Sequence, residues 1–335
     1  MNEIKLSIFG FGNVGRETAR VLLEKESFFK EKYGLVFKVV SISDTSGTVW
    51  LPEGIDLREA LLVKENFGKL SAWTNDYEVY TLSPTEAVRE IEADLIVDVT
   101  NDKNAWKWHM EALKIGKGVV TSNKPPLAFH YSELTEKAEG KGLPYLFEAT
   151  VMAGTPVIGL LKETLLGDSV ESIEAVLNGT TTYILTRMEE GTSFEEALKE
   201  AQRLGIAERD PSGDILGFDA GYKATILHCV AFKPITFDEI AVRGIDGVLM
   251  EDVRRAQRDG KTIRLIASIE EGSVSVEPKE LPKESPLAVS STQNAAVIKT
   301  DLLGELTVKG AGAGLKETAS GVVSDVVKAS RNLSG

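Results

Sequence analysis

The stretch KLSIFGFGNVGRETARVLLEK, residues 5–25, reads as a short strand, a turn and a helix. Gly10, Gly12 and Gly15 stand in GxGxxG spacing, and Val14, Val21 and Leu22 give the following helix an apolar side. The first glycine permits a tight turn, the second lets backbone amides approach a pyrophosphate, and the third lets helix and strand pack closely. Asn13 and Val14 open the helix, whose N-terminus would hold the diphosphate. A lone GxGxxG is weak, but here it follows a strand and precedes a helix, which is the context a dinucleotide requires.

The next segments extend the same rhythm. FKVVSIS is a second strand ending at Asp44, an acid that could accept from a ribose hydroxyl. Asp44 lies 29 residues beyond Gly15, against ~20 in the usual pattern, so an insertion around SFFKEKYG is required. In SPTEAVREI, Ser83, Pro84 and Glu86 take N-cap, N1 and N3 of a capping box. DLIVDVTND and GKGVVTSNKPP are apolar runs of the kind buried on both faces of a sheet, ending at Thr100, Asn101 and at Asn123, Lys124. Carboxyl ends of parallel strands face the ligand crevice. Lys124 is therefore either a surface lysine in a proline turn or a site residue. The pattern predicts an α/β fold, a Rossmann-type doubly wound parallel sheet of about six strands.

The chain has 335 residues, enough for about two domains at ~150 residues each. Its 38 basic and 51 acidic residues leave a net charge of −13, which repels polyanions and argues against nucleic acid as a partner. No apolar run approaches the ~20 residues that cross a bilayer, and residues 1–9 read as an alternating strand rather than a secretory leader. A soluble, cytoplasmic protein with no membrane partner is expected. The single cysteine, Cys229 in ILHCVAF, excludes an internal disulfide and reads more easily as a small buried hydrophobe than as a reactive thiol.

Beyond Gly154 the strand-helix alternation fades, and an α+β domain over residues 151–305 is expected beside the dinucleotide domain of 1–150. SIEAVLNG is a strand, followed by the polar turn NGTTT and a helix; Ser193 to Glu196 start another helix that Gly205 closes. TIRLIASIE and SVSVEP read as strands. In AQRLGIAERDPSGDILGFDAGYK, residues 201–223, Asp219 and Lys223 are four apart and share a helix face. Such a pair is commonly a solvated ornament, yet it can also position an ammonium for proton transfer. The C-terminal piece combines a strand, glycines at 310, 312 and 314, and an amphipathic helix bearing Ala319, Val322, Val323, Val326 and Val327. Either the glycines form a mere turn, or residues from about 306 to 335 return to the first domain, with Gly314 near the dinucleotide.

Residues 201–223 resemble the homoserine dehydrogenases at Ala201, Gly205, Ala207, Asp210, Pro211, Asp214, Gly217, Asp219 and Lys223. GFGNVG, TSNKPP, FEATVMAGTPVI, LNGTTTYIL and KGAGAG follow in that family's order, so the resemblance spans nearly the whole chain. It implies NAD- or NADP-dependent interconversion of L-homoserine and L-aspartate 4-semialdehyde, a step toward threonine, methionine and isoleucine. It further implies Lys223 as acid/base with Lys124 beside it, and Asp219 orienting the lysines. Glu208 is implied at the substrate ammonium, Asp214 at the reacting hydroxyl, and the Gly179 and Thr180 amides at the carboxylate. A sodium ion at Glu148, Val151, Ala153 and Thr155 is implied as well, although the same turn could be only an interdomain hinge. The second domain is implied to be the catalytic and dimerisation domain, making a homodimer. The short form, without the C-terminal regulatory domain of many relatives, leaves feedback inhibition through such a domain unexpected. Asp44 favours NAD, and no arginine follows it before Arg58 to meet a 2′-phosphate.

Two rivals have distinct signatures. An aspartate-semialdehyde dehydrogenase needs a thiolate, for which Cys229 is the single candidate. A dinucleotide-sensing regulator would want a basic DNA-reading module, which the acidic balance opposes.

Overall fold

The computed structural model describes residues 1–73 and 77–333. The chain forms two compact units, Met1–Thr150 with Leu315–Gly335, and Val151–Gly314.

The first unit is built on seven strands: β1 (Asn2–Phe9), β2 (Leu35–Asp44), β3 (Gly47–Trp50), β4 (Val79–Tyr80), β5 (Leu95–Asp98), β6 (Gly118–Thr121) and β7 (Tyr145–Leu146), in the order β4-β3-β2-β1-β5-β6-β7. The five from β2 to β7 across β1 run parallel. The expected doubly wound sheet is thus present, extended by an edge pair, β3 and β4, that pairs antiparallel with β2 and with each other. β5 and β6 are buried along their whole length, as continuous apolar runs in a parallel sheet must be. The insertion before Asp44 is a helix, Glu26–Tyr33, closed by Gly34 in the left-handed region. Ser83 and Glu86 form the capping box that starts helix Pro84–Glu90. The C-terminal helix, Leu315–Leu333, buries Ala319 and places Val322, Val323 and Val326 in the core of this unit.

The second unit is a six-stranded sheet of β8 (Val170–Val176), β9 (Ala241–Val242), β10 (Lys261–Glu270), β11 (Ser273–Pro282), β12 (Gln293–Thr300) and β13 (Gly304–Ala311), ordered β13-β12-β8-β10-β11-β9. All pairs are antiparallel except β9 with β11. β13 is bonded along its length to β12. The return to the first unit therefore begins at Leu315, nine residues beyond the 306 that the sequence suggested, because the strand completes a sheet before the chain leaves it. Helix Phe194–Arg203 carries the expected capping box of Ser193 and Glu196, and Gly205 follows it at φ +72°. Among the described residues no helix is long and apolar enough to cross a membrane.

Candidate functional site

In the first unit, the chain leaves β1 through Gly10 at φ +92° and enters helix Asn13–Glu24 with Gly12 as N-cap. A Cβ at Gly10 would meet the Val99 carbonyl oxygen at 2.8 Å, and one at Gly15 would press into the Gly10 carbonyl. A Cβ at Gly12 would meet nothing closer than 4.0 Å. Two glycines are thus demanded by packing and the middle one leaves the helix N-terminus bare, as an approaching diphosphate requires. Asn13 and Val14 form the first turn of that helix. Thr100 and Asn101 follow β5, and Lys124, half-buried, opens helix Lys124–Glu139 directly after β6. Asn123 precedes it, buried; its Nδ2 donates to Asp98 and to the Asp102 carbonyl, and its Oδ1 has no hydrogen-bond partner among the described residues. The glycine cradle and this open acceptor at a strand end fit a dinucleotide.

Asp44 is placed differently from its expected role at a ribose hydroxyl. Its Oδ1 accepts from the Ser46 amide at 2.7 Å and the Ser46 hydroxyl at 2.6 Å, while Oδ2 accepts from the Lys64 ammonium at 2.6 Å and the Leu70 amide at 3.0 Å. Burial raises its pKa, but the hydrogen bonds from Lys64, Ser46 and Leu70 outweigh that and hold the carboxyl below its usual range. Both oxygens are engaged by the protein itself, so Asp44 is a tie between β2 and helix Leu57–Phe67 rather than an open acceptor.

In the second unit, Asp219 and Lys223 lie on helix Phe218–Ala231, entered through Gly217 at φ +85°. Lys223 is only 8% exposed, and its Nζ meets Asp219 at 2.7 Å and donates to the Leu177 carbonyl at 2.8 Å. An ammonium carries three donors, and among the described residues the third has no partner. Asp214, in the short helix Ser212–Ile215, completes the cluster. Burial, and then the charge of Asp219, push the Asp214 carboxyl above the ordinary carboxylate range; Asn178, Lys223 and Thr180 pull it back.

Asn178 joins these groups and was not singled out from the sequence. Its Oδ1 caps helix Gly179–Glu189 by accepting from the Thr181 amide at 2.8 Å. Its Nδ2 donates to Asp214 at 2.6 Å and to Asp219 at 2.9 Å. The readable signal was an Asn between a strand and a helix, the N-cap position. Gly179 and Thr180 supply the first two amides of the helix, for which a helix has no internal acceptor. A Cβ at Gly179 would come within 3.0 Å of the Thr292 carbonyl oxygen, which keeps that position small. The Thr180 hydroxyl donates to the Ile206 carbonyl at 3.2 Å.

Glu208 is not drawn into the cluster: it is exposed, and among the described residues only its backbone carbonyl is bonded, to Gln202. Of the four expected sodium ligands, Glu148 lies in the first unit, half-buried in the turn Glu148–Thr150. In the second unit, Met152 and Ala153 are both left-handed, at φ 56° and 54°, and the Thr155 amide bonds the Met152 carbonyl at 2.9 Å. The Val151 and Ala153 carbonyls accept no backbone hydrogen bond among the described residues, and oxygen donors of this kind suit a hard monovalent ion. Gly314, at φ +143°, ends the second unit. Cys229 is buried and its thiol, pushed up by burial to about 11, donates to the Ile235 carbonyl. It is not a nucleophile at neutral pH.

Residues 10–148 match the model for the homoserine dehydrogenase NAD-binding domain, and residues 156–327 that for homoserine dehydrogenase. The chain is 46% identical to the homoserine dehydrogenase of Pyrococcus horikoshii over 329 residues, covering 98% of this chain and 97% of that one. It is 43% identical to the homoserine dehydrogenase of Methanocaldococcus jannaschii, with 96% of each covered. A solved hyperthermophilic archaeal homoserine dehydrogenase in complex with NADPH superposes with a TM-score of 0.89 at 46% identity, over 98% of each chain.

Proposed function

The chain belongs to the homoserine dehydrogenase family, an NAD(P)-dependent oxidoreductase acting on a CH–OH group, and we propose that Lys223 is the group that exchanges the proton of that hydroxyl. The observation that carries this is the buried ammonium with two donors fixed, on Asp219 and Leu177, and the third left for a substrate oxygen. The dinucleotide, when bound at Gly10, Gly12, Asn13, Val14 and Gly15, supplies or takes the hydride. As L-aspartate 4-semialdehyde is reduced, negative charge grows on its carbonyl oxygen; the Lys223 ammonium stabilises that charge and delivers a proton to it. In the reverse direction Lys223 removes the proton from the L-homoserine hydroxyl. Asp219 holds the ammonium in place, and Asp214, tied to the same cluster through Asn178, lies near the reacting hydroxyl.

The remaining assignments follow the family's pattern. Lys124 acts as a second lysine, Thr100 and Asn101 line the dinucleotide, and Gly314 lies near it. The Gly179 and Thr180 amides receive the substrate carboxylate at a helix N-terminus, where the dipole favours an anion. Glu208 pairs with the substrate ammonium, moving inward from its exposed position. Glu148, Val151, Ala153 and Thr155 hold a sodium ion through oxygen donors. The protein works in the cytoplasm as a homodimer, in the pathway to threonine, methionine and isoleucine. The NADPH complex of the archaeal relative supports NADP as one cofactor, and NAD is the other to be tried. Following reduced nicotinamide by its absorbance, with L-homoserine and each dinucleotide in turn, tests the reading. Turnover with L-homoserine is the expected result; none with either dinucleotide would refute it.

A further inference from the structure

Beneath the crevice of the first unit lies a buried polar chain to which the proposed chemistry gives no part. Asp98, at the end of β5 and wholly buried, accepts on Oδ1 from the amide of Thr100 at 2.8 Å and its hydroxyl at 2.7 Å. On Oδ2 it accepts from Asn123 Nδ2 at 3.0 Å and the Thr121 hydroxyl at 3.3 Å, and it faces His109 Nε2 at 3.0 Å. The other nitrogen of His109, Nδ1, lies 3.0 Å from the Tyr145 hydroxyl.

The proton positions follow from the partners. Tyr145 is fully buried; burial, and then the Asp98 charge, hold its hydroxyl well above the ordinary value, so it stays protonated. It donates to Nδ1, which leaves the hydrogen of a neutral imidazole on Nε2, pointed at Asp98. Every bond then runs toward one carboxylate. Its other donors are the residues that end β5 and β6, where a doubly wound sheet meets its ligand. Thr100 is one of the proposed dinucleotide residues, and Asn123 immediately precedes Lys124. The fingerprint glycines serve the half of the sheet around β1 and β2; the half from β5 to β7 is left for the nicotinamide end.

We propose that Asp98, held by His109 and Tyr145, is the positioning residue for the nicotinamide end of the dinucleotide, fixing Thr100 and Asn123 in the geometry that the ring meets. This rests on the reading that the first unit binds NAD(P). Burying a carboxylate costs stability unless its lone pairs are filled, and these are filled by Thr100, Thr121, Asn123 and His109. The cost is offset by rigidity at the place where a displacement of ~1 Å loses ~10²-fold in rate.

The test uses the full-length protein with Tyr145→Phe, which deletes one hydroxyl, and with His109→Leu and His109→Gln. Without the hydroxyl, His109 can hold its hydrogen on Nδ1 and turn a lone pair toward Asp98. Binding of NADPH and NADH is measured beside that of ADP-ribose and its 2′-phosphate, which lack the nicotinamide. Tyr145→Phe and His109→Leu are expected to weaken the dinucleotides about tenfold, the upper worth of one ordinary hydrogen bond, with a lower kcat and with ADP-ribose affinity unchanged within about twofold. His109→Gln, which can donate an amide hydrogen to Asp98, restores part of the loss. Equal weakening of both ligand types, or a lower melting temperature with dinucleotide binding and kcat unchanged, overturns the proposal. If His109→Leu does not fold, Tyr145→Phe carries the comparison alone. Failure of the unmodified protein to bind NADPH or NADH would instead refute the underlying functional reading.

Discussion

Replacing Asn178 by serine separates the two jobs of one amide. Serine is as good an N-cap as asparagine, so the Thr181 amide keeps an acceptor and helix Gly179–Glu189 keeps its start. What is lost is Nδ2, which holds Asp214 at 2.6 Å and Asp219 at 2.9 Å. A hydrogen bond to a charged group contributes about 1.5–3 kcal/mol. Water and the serine hydroxyl recover part of two such bonds, leaving a net loss of about 2–3 kcal/mol in the bound transition state. At 1.36 kcal/mol per tenfold, kcat/KM should fall about 30- to 150-fold. A second consequence has a definite sign. The Asn178 hydrogen bond lowers an Asp214 pKa that burial and Asp219 have raised. Removing it sends that pKa further up, in the direction Asp219 already pushes it, with Lys223 on the same helix as Asp219 and Thr180 on another left to oppose the rise. If Asp214 works ionised, the acid limb of the kcat/KM profile moves to higher pH. Initial rates with L-homoserine across the acid range, together with a thermal melt, measure both effects. Activity within about threefold of the unmodified enzyme, with an unmoved acid limb, would refute the clamp.

Asp44→Asn breaks a tie in which the two side chains are 8% and 9% exposed and should cost about 3 kcal/mol, the low end for a buried pair because Lys64 also donates to the Gly68 carbonyl. Its folded-state pKa is lowered, so the stability is present at neutral pH and lost as pH falls through ~3.9 and below; the gap between the urea midpoints of the two proteins should close there. The ratio of NAD to NADP turnover should not change. Gly15→Ala places a methyl group against the Gly10 carbonyl and should abolish dinucleotide binding in a fluorescence titration while the second unit stays folded. Cys229→Ala should leave kcat within about twofold, since its protonated thiol hydrogen-bonds, among the described residues, with Ile235 alone; complete loss of activity would revive a thioacyl mechanism.

Much of the fold was legible because its signals are local. Gly10, Gly12 and Gly15, the paired caps at Ser83 and Ser193, and the alternation of β8, β10 and β11 each depend on residues within a turn or a strand. Asp219 and Lys223 were legible for the same reason, being one helical turn apart. β12, QNAAVIKT, was not identified: its meaning comes from lying between β8 and β13, a pairing no local pattern announces. The boundary at 306 erred with it, since β13 is recognisable as part of the second sheet only through β12. The ties of Asp44 were not legible because Lys64 and Leu70, which bond its oxygens, lie 20 and 26 residues further on. Asn178 was missed because its amide hydrogens are spent 36 and 41 residues away. Glu208 marks a different limit: the family pattern places it at the substrate, and the structure leaves its side chain exposed.

The central claim is that the Lys223 ammonium exchanges the proton of the reacting hydroxyl. Lys223→Ala, assayed for L-homoserine oxidation beside a dinucleotide titration, tests it most directly. Turnover should fall by about 10²–10⁴-fold, the usual worth of a general acid or base, with dinucleotide affinity within about threefold of the unmodified enzyme. Undiminished turnover in that variant would contradict it.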